Sequence, residues 1–181
     1  MPTRYDQPQI VGHRGAAALA PENTLAGIEA AAAAGCRGVE LDVMLSADGQ
    51  AVLHHDVSLQ RCAGVRGRID RTPQAALAEL DVGSHFHKRF HGEPIPTLAQ
   101  ALAKLLDLGL SANLEIKPAP GFEAETAAET VRLARELWPA DAPQLLLSSF
   151  QRRSLQRVAE LAPELVLDGL ERVMRRRDHG G

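Results

Sequence analysis

Gly38-Val39-Glu40-Leu41-Asp42-Val43-Met44-Leu45 reads as a strand in which apolar and acidic residues alternate. Side chains two apart share a strand face, so Glu40 and Asp42 point to the same side. Carboxylates aimed inward from a buried strand are expensive unless a cation or partner neutralises them. A strand that carries two of them asks what stands opposite, and the flanking sequence supplies candidates.

Towards the N-terminus, Ile10-Val11-Gly12 is a short apolar run that opens into His13-Arg14-Gly15, a strand entering a loop. Pro21-Glu22-Asn23-Thr24 follows as a helix start, with Asn23 expected as N-cap, and the helix runs through Leu25 and Ile28 to near Ala34, where Gly35 ends it. Beyond the acidic strand, Ser46-Ala47-Asp48-Gly49 is a turn and Ala51-Val52-Leu53-His54-His55 a third strand. A hairpin or a bent excursion at a barrel rim both fit that tight connection. Residues 58–96 differ in character: rich in Gly, Pro and charge, with one short helix expected over Pro73 to Leu80. They read as a long insertion, the kind of loop that usually carries function.

Strand and helix then alternate. Thr97 can cap a helix from Leu98 to Leu108, and Ala112 to Lys117 is a fourth strand stopped by Pro118. A helix over Phe122 to Leu137, a fifth strand over Gln144 to Phe150, a helix near Arg153 to Leu161 and a sixth strand at Leu165-Val166-Leu167 complete the pattern. This order predicts an α/β fold with a parallel sheet and helical crossovers.

The 181 residues suit a single domain, 1–181, with 58–96 as its insertion. Apolar residues make up 45% but aromatics only 3%, so the core is expected to be Ala, Leu and Val. A net charge of −3 supplies no basic field and argues against a nucleic-acid partner. Cys36 and Cys62 stand far apart without a Cys-x-x-Cys partner and read as two reduced thiols. Met1 to Gln9 has no apolar leader core, and no run is long enough to span a bilayer. A cytoplasmic protein without a transmembrane segment is expected.

The chemistry-bearing residues fall at strand ends, where catalytic groups of α/β barrels gather. Glu115 and Lys117 share a face, as Glu40 and Asp42 do. Three carboxylates converging with water can hold one divalent cation, Mg²⁺ or Ca²⁺, hard ions that prefer oxygen. His13 and His55 close strands near one rim and suit an acid/base pair, because imidazole titrates near neutral pH. Arg14 and Lys117 offer fixed positive charge for phosphate oxygens. The combination suits phosphoryl transfer to an oxygen nucleophile. His85, His87 and His91 cluster but lack the cysteines or carboxylates of a zinc site and read as a solvated loop. His54 lies on the strand face opposite His55 and reads as structural; Trp138 reads as packing, and Arg175 to Arg177 as a solvated tail.

The sequence resembles the glycerophosphodiester phosphodiesterases. The likeness rests on His13-Arg14-Gly15, Pro21-Glu22-Asn23-Thr24-Leu25, Val39-Glu40-Leu41-Asp42-Val43 and His55-Asp56 with Leu59 and Arg61. It continues through Leu80-Asp81-Val82-Gly83-Ser84, Ile95-Pro96-Thr97-Leu98, Asn113-Leu114-Glu115-Ile116-Lys117 and Ser148-Ser149-Phe150, in the family's order over residues 9 to 170. It implies a TIM-type (β/α)8 barrel that hydrolyses glycerophosphodiesters to glycerol 3-phosphate and an alcohol. Glu40, Asp42 and Glu115 would hold the divalent metal, His13 and His55 would be the acid/base pair, and Arg14 and Lys117 would bind the phosphate. Residues 58–96 would be the family's insertion, shaping the glycerol pocket.

Two departures stand out. His85 replaces an aromatic that the family commonly has after Gly-Ser. The family also continues with two further strands, the last bearing a Trp-Thr-Val-Asn-like motif that nothing here matches; a closed barrel takes about 250 residues. The expected barrel is therefore incomplete at about six strands: either the chain is a fragment, or a second copy covers the open barrel as a homodimer. A lysophospholipid-directed phosphodiesterase and a truncated, inactive domain that retains the site stay open as alternatives.

Overall fold

The computed structural model describes residues 10–163. Strands β1 (Val11–His13), β2 (Gly38–Leu45), β4 (Ser111–Ile116) and β5 (Leu145–Ser148) run parallel, while β3 (Ala51–Leu53) pairs antiparallel with the end of β2. The helices α1 (Leu25–Ala33), α4 (Leu98–Leu108), α5 (Glu123–Leu137) and α6 (Arg152–Leu161) each follow a strand, and short helices α2 (Gln60–Ala63) and α3 (Gln74–Leu77) lie between. With β3 set aside, the sheet order β1-β2-β4-β5 is the order of the chain. A doubly wound sheet reverses its strand order and puts helices on both faces. Here the order never reverses, and α1, α4, α5 and α6 all pack against one face through Ile28, Leu102, Val131 and Val158. That is the wall of an α/β barrel.

Alternation along the strands explains the division of faces. Val39, Leu41, Val43, Leu114, Ile116 and Leu147 meet the helices, whereas Glu40, Asp42 and Glu115 face the other way. On α4, buried Leu98, Ala101, Leu102 and Leu105 form the i, i+3, i+4, i+7 stripe of a helix that packs on a sheet. Thr97 and Gln100 close a reciprocal capping box at its start, and Gly109 adopts φ 64° at its end.

The tight connection expected after the acidic strand is a hairpin. Its register pairs Val43 with Leu53, Met44 with Val52 and Leu45 with Ala51. Strand β2 thus overshoots the parallel sheet by two residues, and β3 brings the chain back towards Asp42, whose carbonyl accepts a 3.1 Å bond from the His54 amide. The strand stops at Leu53 rather than at His55: His54 N–H still reaches Asp42 O, but Asp42 N–H is taken by Asn23 Oδ1 and the ladder goes no further.

Residues 58–96 build a small apolar cluster of their own, in which Leu59, Cys62, Ile69, Leu77, Val82 and Ile95 gather on Met44 and Val52. Met44 shares the parity of Glu40 and Asp42, so the segment docks on the carboxylate side of the sheet. Its expected helix over Pro73 to Leu80 contracts to Gln74–Leu77, with Leu77 driven into that cluster. The fifth strand is likewise shorter than expected, and the sixth, with Arg175 to Arg177, lies outside the described residues. Trp138 packs against the main core and donates its indole N–H to Pro143 O at 2.8 Å, as a packing residue should.

The β1–α1 connection leaves no room at Gly12. A Cβ there would stand 1.9 Å from Gly15 O and 3.1 Å from Ala31 Cβ. Gly12→Ala is expected to cost roughly 1–3 kcal/mol through forced displacement of this turn. A thermal melt checks it; an unchanged melting temperature would mean that the turn relaxes freely.

Candidate active site

Parallel register sets the carboxylates side by side. Glu40 is paired with His13 on one side and Asn113 on the other, and Asp42 is paired with Glu115. Glu40, Asp42 and Glu115 each present an oxygen within 4.8 Å of the other two, and they are the one such metal-capable group among the described residues. The cluster is short of positive charge. Burial pushes Glu40 up to about 7, with the Asp42 and Glu115 charges adding to it against the opposing Arg14 N–H bond and charge. Burial also raises Glu115, with Lys117 opposing and Asp42 reinforcing the shift. Two raised carboxylates, Glu40 and Glu115, flanking Asp42 fit a divalent cation, whose charge would remove the repulsion.

Asp42, 1% exposed, is held from several sides. Asn23 Nδ2 donates to its Oδ2 at 2.8 Å, and its own N–H donates to Asn23 Oδ1 at 3.0 Å. Arg14 Nε lies 3.5 Å from Oδ2 and Lys117 Nζ 3.5 Å from Oδ1. This corrects the expectation for Asn23: the N-cap of α1 is Thr24, whose Oγ1 accepts from Gly27 N–H at 3.0 Å. Asn23 takes a left-handed conformation, φ 56°, which Asn tolerates better than most residues, and this turns its amide towards the sheet.

Arg14 is also left-handed, φ 51°, so its backbone N–H reaches Glu40 Oε2 at 3.0 Å while its guanidinium reaches Glu22 at 3.0 Å. Its Nε is buried without a hydrogen-bond partner. A buried guanidinium donor without a hydrogen bond of its own, beside a cation-capable cluster, suits an incoming anionic oxygen. Lys117 Nζ lies 3.7 Å from Glu115 as well.

His13 Nε2 stands 3.8 Å from Glu40 Oε2, and its side chain is 71% exposed. His55 comes in past the end of β3, donates Nδ1–H to Asp56 Oδ1 at 2.6 Å, and is near enough for its charge to act on Glu115. All seven residues singled out in the sequence therefore lie on the carboxylate side of the sheet or on the loops that rim it. His54 is buried, with its ring towards Ser58 O, and burial lowers its pKa. The histidines of the 85–91 loop take separate local partners, Val82 O for His85 and Asp81 for His91.

Sequence reasoning assigned no role to Glu22, Asp56 or Arg61. Arg61 grips Glu22 with two bonds of 2.7 Å and Asp56 with one of 2.6 Å. Burial acting alone would raise Glu22, but the bonds and charges of Arg61 and Arg14 outweigh it and hold Glu22 down at about 2. Asp56 is held at about 2, chiefly by its Arg61 bond. A carboxylate whose folded pKa is depressed contributes stability above its ordinary pKa and loses it as pH falls. Glu22 should thus stabilise the fold fully above pH about 4.5 and progressively less down to about 2. Glu22→Gln is expected to flatten that acid limb in urea titrations at stepped pH, whereas an unchanged limb would place the acid sensitivity elsewhere.

Residues 13–178 match the model of the Glycerophosphoryl diester phosphodiesterase family. A glycerophosphodiester phosphodiesterase of Caldanaerobacter subterraneus is 32% identical over 160 residues, which is 86% of this chain and 63% of that protein. An Oleispira antarctica phosphodiesterase, solved in complex with the product sn-glycerol-3-phosphate, is 44% identical with a TM-score of 0.84, over 87% of this chain and 63% of that one. A glycerophosphodiester phosphodiesterase from Agrobacterium tumefaciens is 32% identical with a TM-score of 0.73, over 88% and 65%. The chain thus spans under two thirds of the length of these relatives. Among the described residues no helix is long and apolar enough to cross a membrane. With the barrel wall, the inward carboxylate trio and a match that begins at His13 in agreement, the chain belongs to the Glycerophosphoryl diester phosphodiesterase family.

Proposed function

We infer that the chain hydrolyses glycerophosphodiesters to glycerol 3-phosphate and an alcohol with the help of one divalent cation, Mg²⁺ or Ca²⁺. The observation that carries this reading is the juxtaposition of the Glu40–Asp42–Glu115 cluster with the buried Nε of Arg14, which lies 3.5 Å from Asp42 but makes no hydrogen bond. The first fits a hard cation and the second a phosphate oxygen. The product bound to the Oleispira antarctica relative supports the choice of substrate class.

In this reading Glu40, Asp42 and Glu115 hold the cation, which when bound would polarise a phosphoryl oxygen. Arg14 and Lys117 bind the remaining phosphate oxygens and oppose the charge that builds as an oxygen nucleophile attacks phosphorus. The P–O bond to the alcohol then breaks. Of His13 and His55, one takes the nucleophile's proton and the other returns a proton to the departing alcohol oxygen. We read 1–181 as one domain with 58–96 as its insertion. The two free thiols, Cys36 and Cys62, support a cytoplasmic setting.

Release of glycerol 3-phosphate from glycerophosphocholine should stop with a chelator and return with Mg²⁺ or Ca²⁺. Chelator-insensitive release would sink the metal role. No release under any metal, together with a weak thermal transition, would favour an inactive domain that keeps the site residues. Preference for lysophosphatidylcholine over glycerophosphocholine would move the substrate class to lysophospholipids. Sedimentation tests closure by a second copy, and a strict monomer removes it.

A further inference from the structure

The catalytic groups reach the site along two loops that the sheet does not tie together, the β1–α1 loop bearing Arg14 and the segment after β3 bearing His55. One side chain joins them. Arg61 Nη1 and Nη2 donate to Glu22 Oε2 and Oε1 at 2.7 Å each, and its Nε donates to Asp56 Oδ2 at 2.6 Å. Glu22 Oε1 also accepts from Arg14 Nη1 at 3.0 Å, and Asp56 Oδ1 accepts from His55 Nδ1 at 2.6 Å. An unbroken path therefore runs Arg14–Glu22–Arg61–Asp56–His55, with a single guanidinium at its centre.

The anchor of that guanidinium is firm. Arg61 lies on α2 between Leu59 and Cys62, each 2% exposed, whose side chains enter the cluster on Met44 and Val52. Met44 follows Asp42 by two residues on the same strand face, so the insertion that carries Arg61 is packed onto the strand that carries the carboxylates. The fork geometry is also specific: three N–H groups in one plane serve two carboxylates at once, which an ammonium cannot reproduce.

We propose that Arg61 is a positioning residue for the phosphodiesterase reaction, fixing Glu22 and Asp56 so that Arg14 meets the phosphate and His55 keeps its Nδ1 proton and presents Nε2. The proposal rests on the function inferred above. Asp56 stays ionised because Arg61 holds it at about 2, and an ionised partner accepts from Nδ1–H, leaving Nε2 free for proton transfer. It also gives the insertion a duty beyond walling the pocket, since it carries the link between two catalytic loops.

The test compares Arg61→Gln, Arg61→Lys, Asp56→Asn and the Arg61→Gln/Asp56→Asn double variant with glycerophosphocholine as substrate. Arg61→Gln is expected to lower kcat/KM by about 10–100-fold, the usual range for a partner that orients a catalytic group. Arg61→Lys should recover only a small part of that loss, and the double variant should be no slower than the slower single one. A stapling role alone would lower the melting temperature and leave kcat/KM at temperatures below the melt within twofold of the parent, which would overturn the proposal. So would full rescue by Lys, or losses that multiply. If Arg61→Gln fails to fold, Glu22→Gln and Asp56→Asn replace it: coupled losses support the link and independent ones refute it. The ring-nitrogen resonances of His55 supply a readout that needs no turnover. If the parent chain hydrolyses no glycerophosphodiester, the function reading falls, and those resonances alone decide this inference: a shift away from the Nδ1–H form in Arg61→Lys supports it, and unchanged resonances overturn it.

Discussion

Asp42→Asn is expected to cut metal-dependent release of glycerol 3-phosphate by at least about 10³-fold. Losing a ligand of the proposed cation removes stabilisation of the charge that builds on the phosphoryl group, and a loss of about 4 kcal/mol corresponds to that factor. The same change should destabilise the metal-free fold, because Arg14 Nε and Lys117 Nζ, each 3.5 Å from Asp42, would then face each other without their common anion. Removing one member of a buried charge group costs about 3–5 kcal/mol, and access of water to Lys117, whose side chain is 31% exposed, lowers the figure to about 1–3 kcal/mol. Asn23 must also re-pair, since its Nδ2 would meet either an amide nitrogen or the one remaining oxygen. Paired measurements of kcat and urea stability check both halves. An Asp42→Asn protein with parental kcat would remove this carboxylate from the metal site.

His13→Ala should separate function from stability. The ring is largely exposed and makes no hydrogen bond to Glu40 at 3.8 Å, so truncation is expected to change stability by less than about 0.5 kcal/mol. If His13 moves a proton in the transition state, kcat falls by about 10²–10⁴-fold with little change in KM. Activity within twofold of the parent would dismiss His13 as acid or base and leave His55 with the whole of that task. The contrast with Asp42 follows from position: Asp42 is a charge buried among charges, whereas His13 stands at the open end of β1 with its ring in solvent.

The insertion shows where local reading stops. Its composition marked it as a long loop, and it folds around an apolar cluster of its own. Nothing in the spacing of Leu59, Cys62, Ile69, Leu77, Val82 and Ile95 announces that they form one cluster, because those residues come from turns and single-turn helices with no common period. Arg61 fell among them, quoted for the family likeness but given no role by its spacing. Its partners, Glu22 and Asp56, are 39 and 5 residues away, and only the docking of α2 on Met44 brings them within reach of one guanidinium.

For the seven residues His13, Arg14, Glu40, Asp42, His55, Glu115 and Lys117, sequence by itself determined the shared faces and the nearness to strand ends, and the family likeness supplied the proposed reaction class. Those features are local: period two puts Glu40 beside Asp42 on a strand face, and Glu115 beside Lys117, in any strand of that sequence. Tertiary structure alone decided that register brings Asp42 opposite Glu115 and Glu40 opposite His13, because the pairing of strands depends on the helices packed between them. It also decided that Asn23 would leave the helix cap to Thr24 and clasp Asp42 instead. A side chain able to cap a helix can equally satisfy a buried carboxylate, and burial of Asp42 makes the second use worth more.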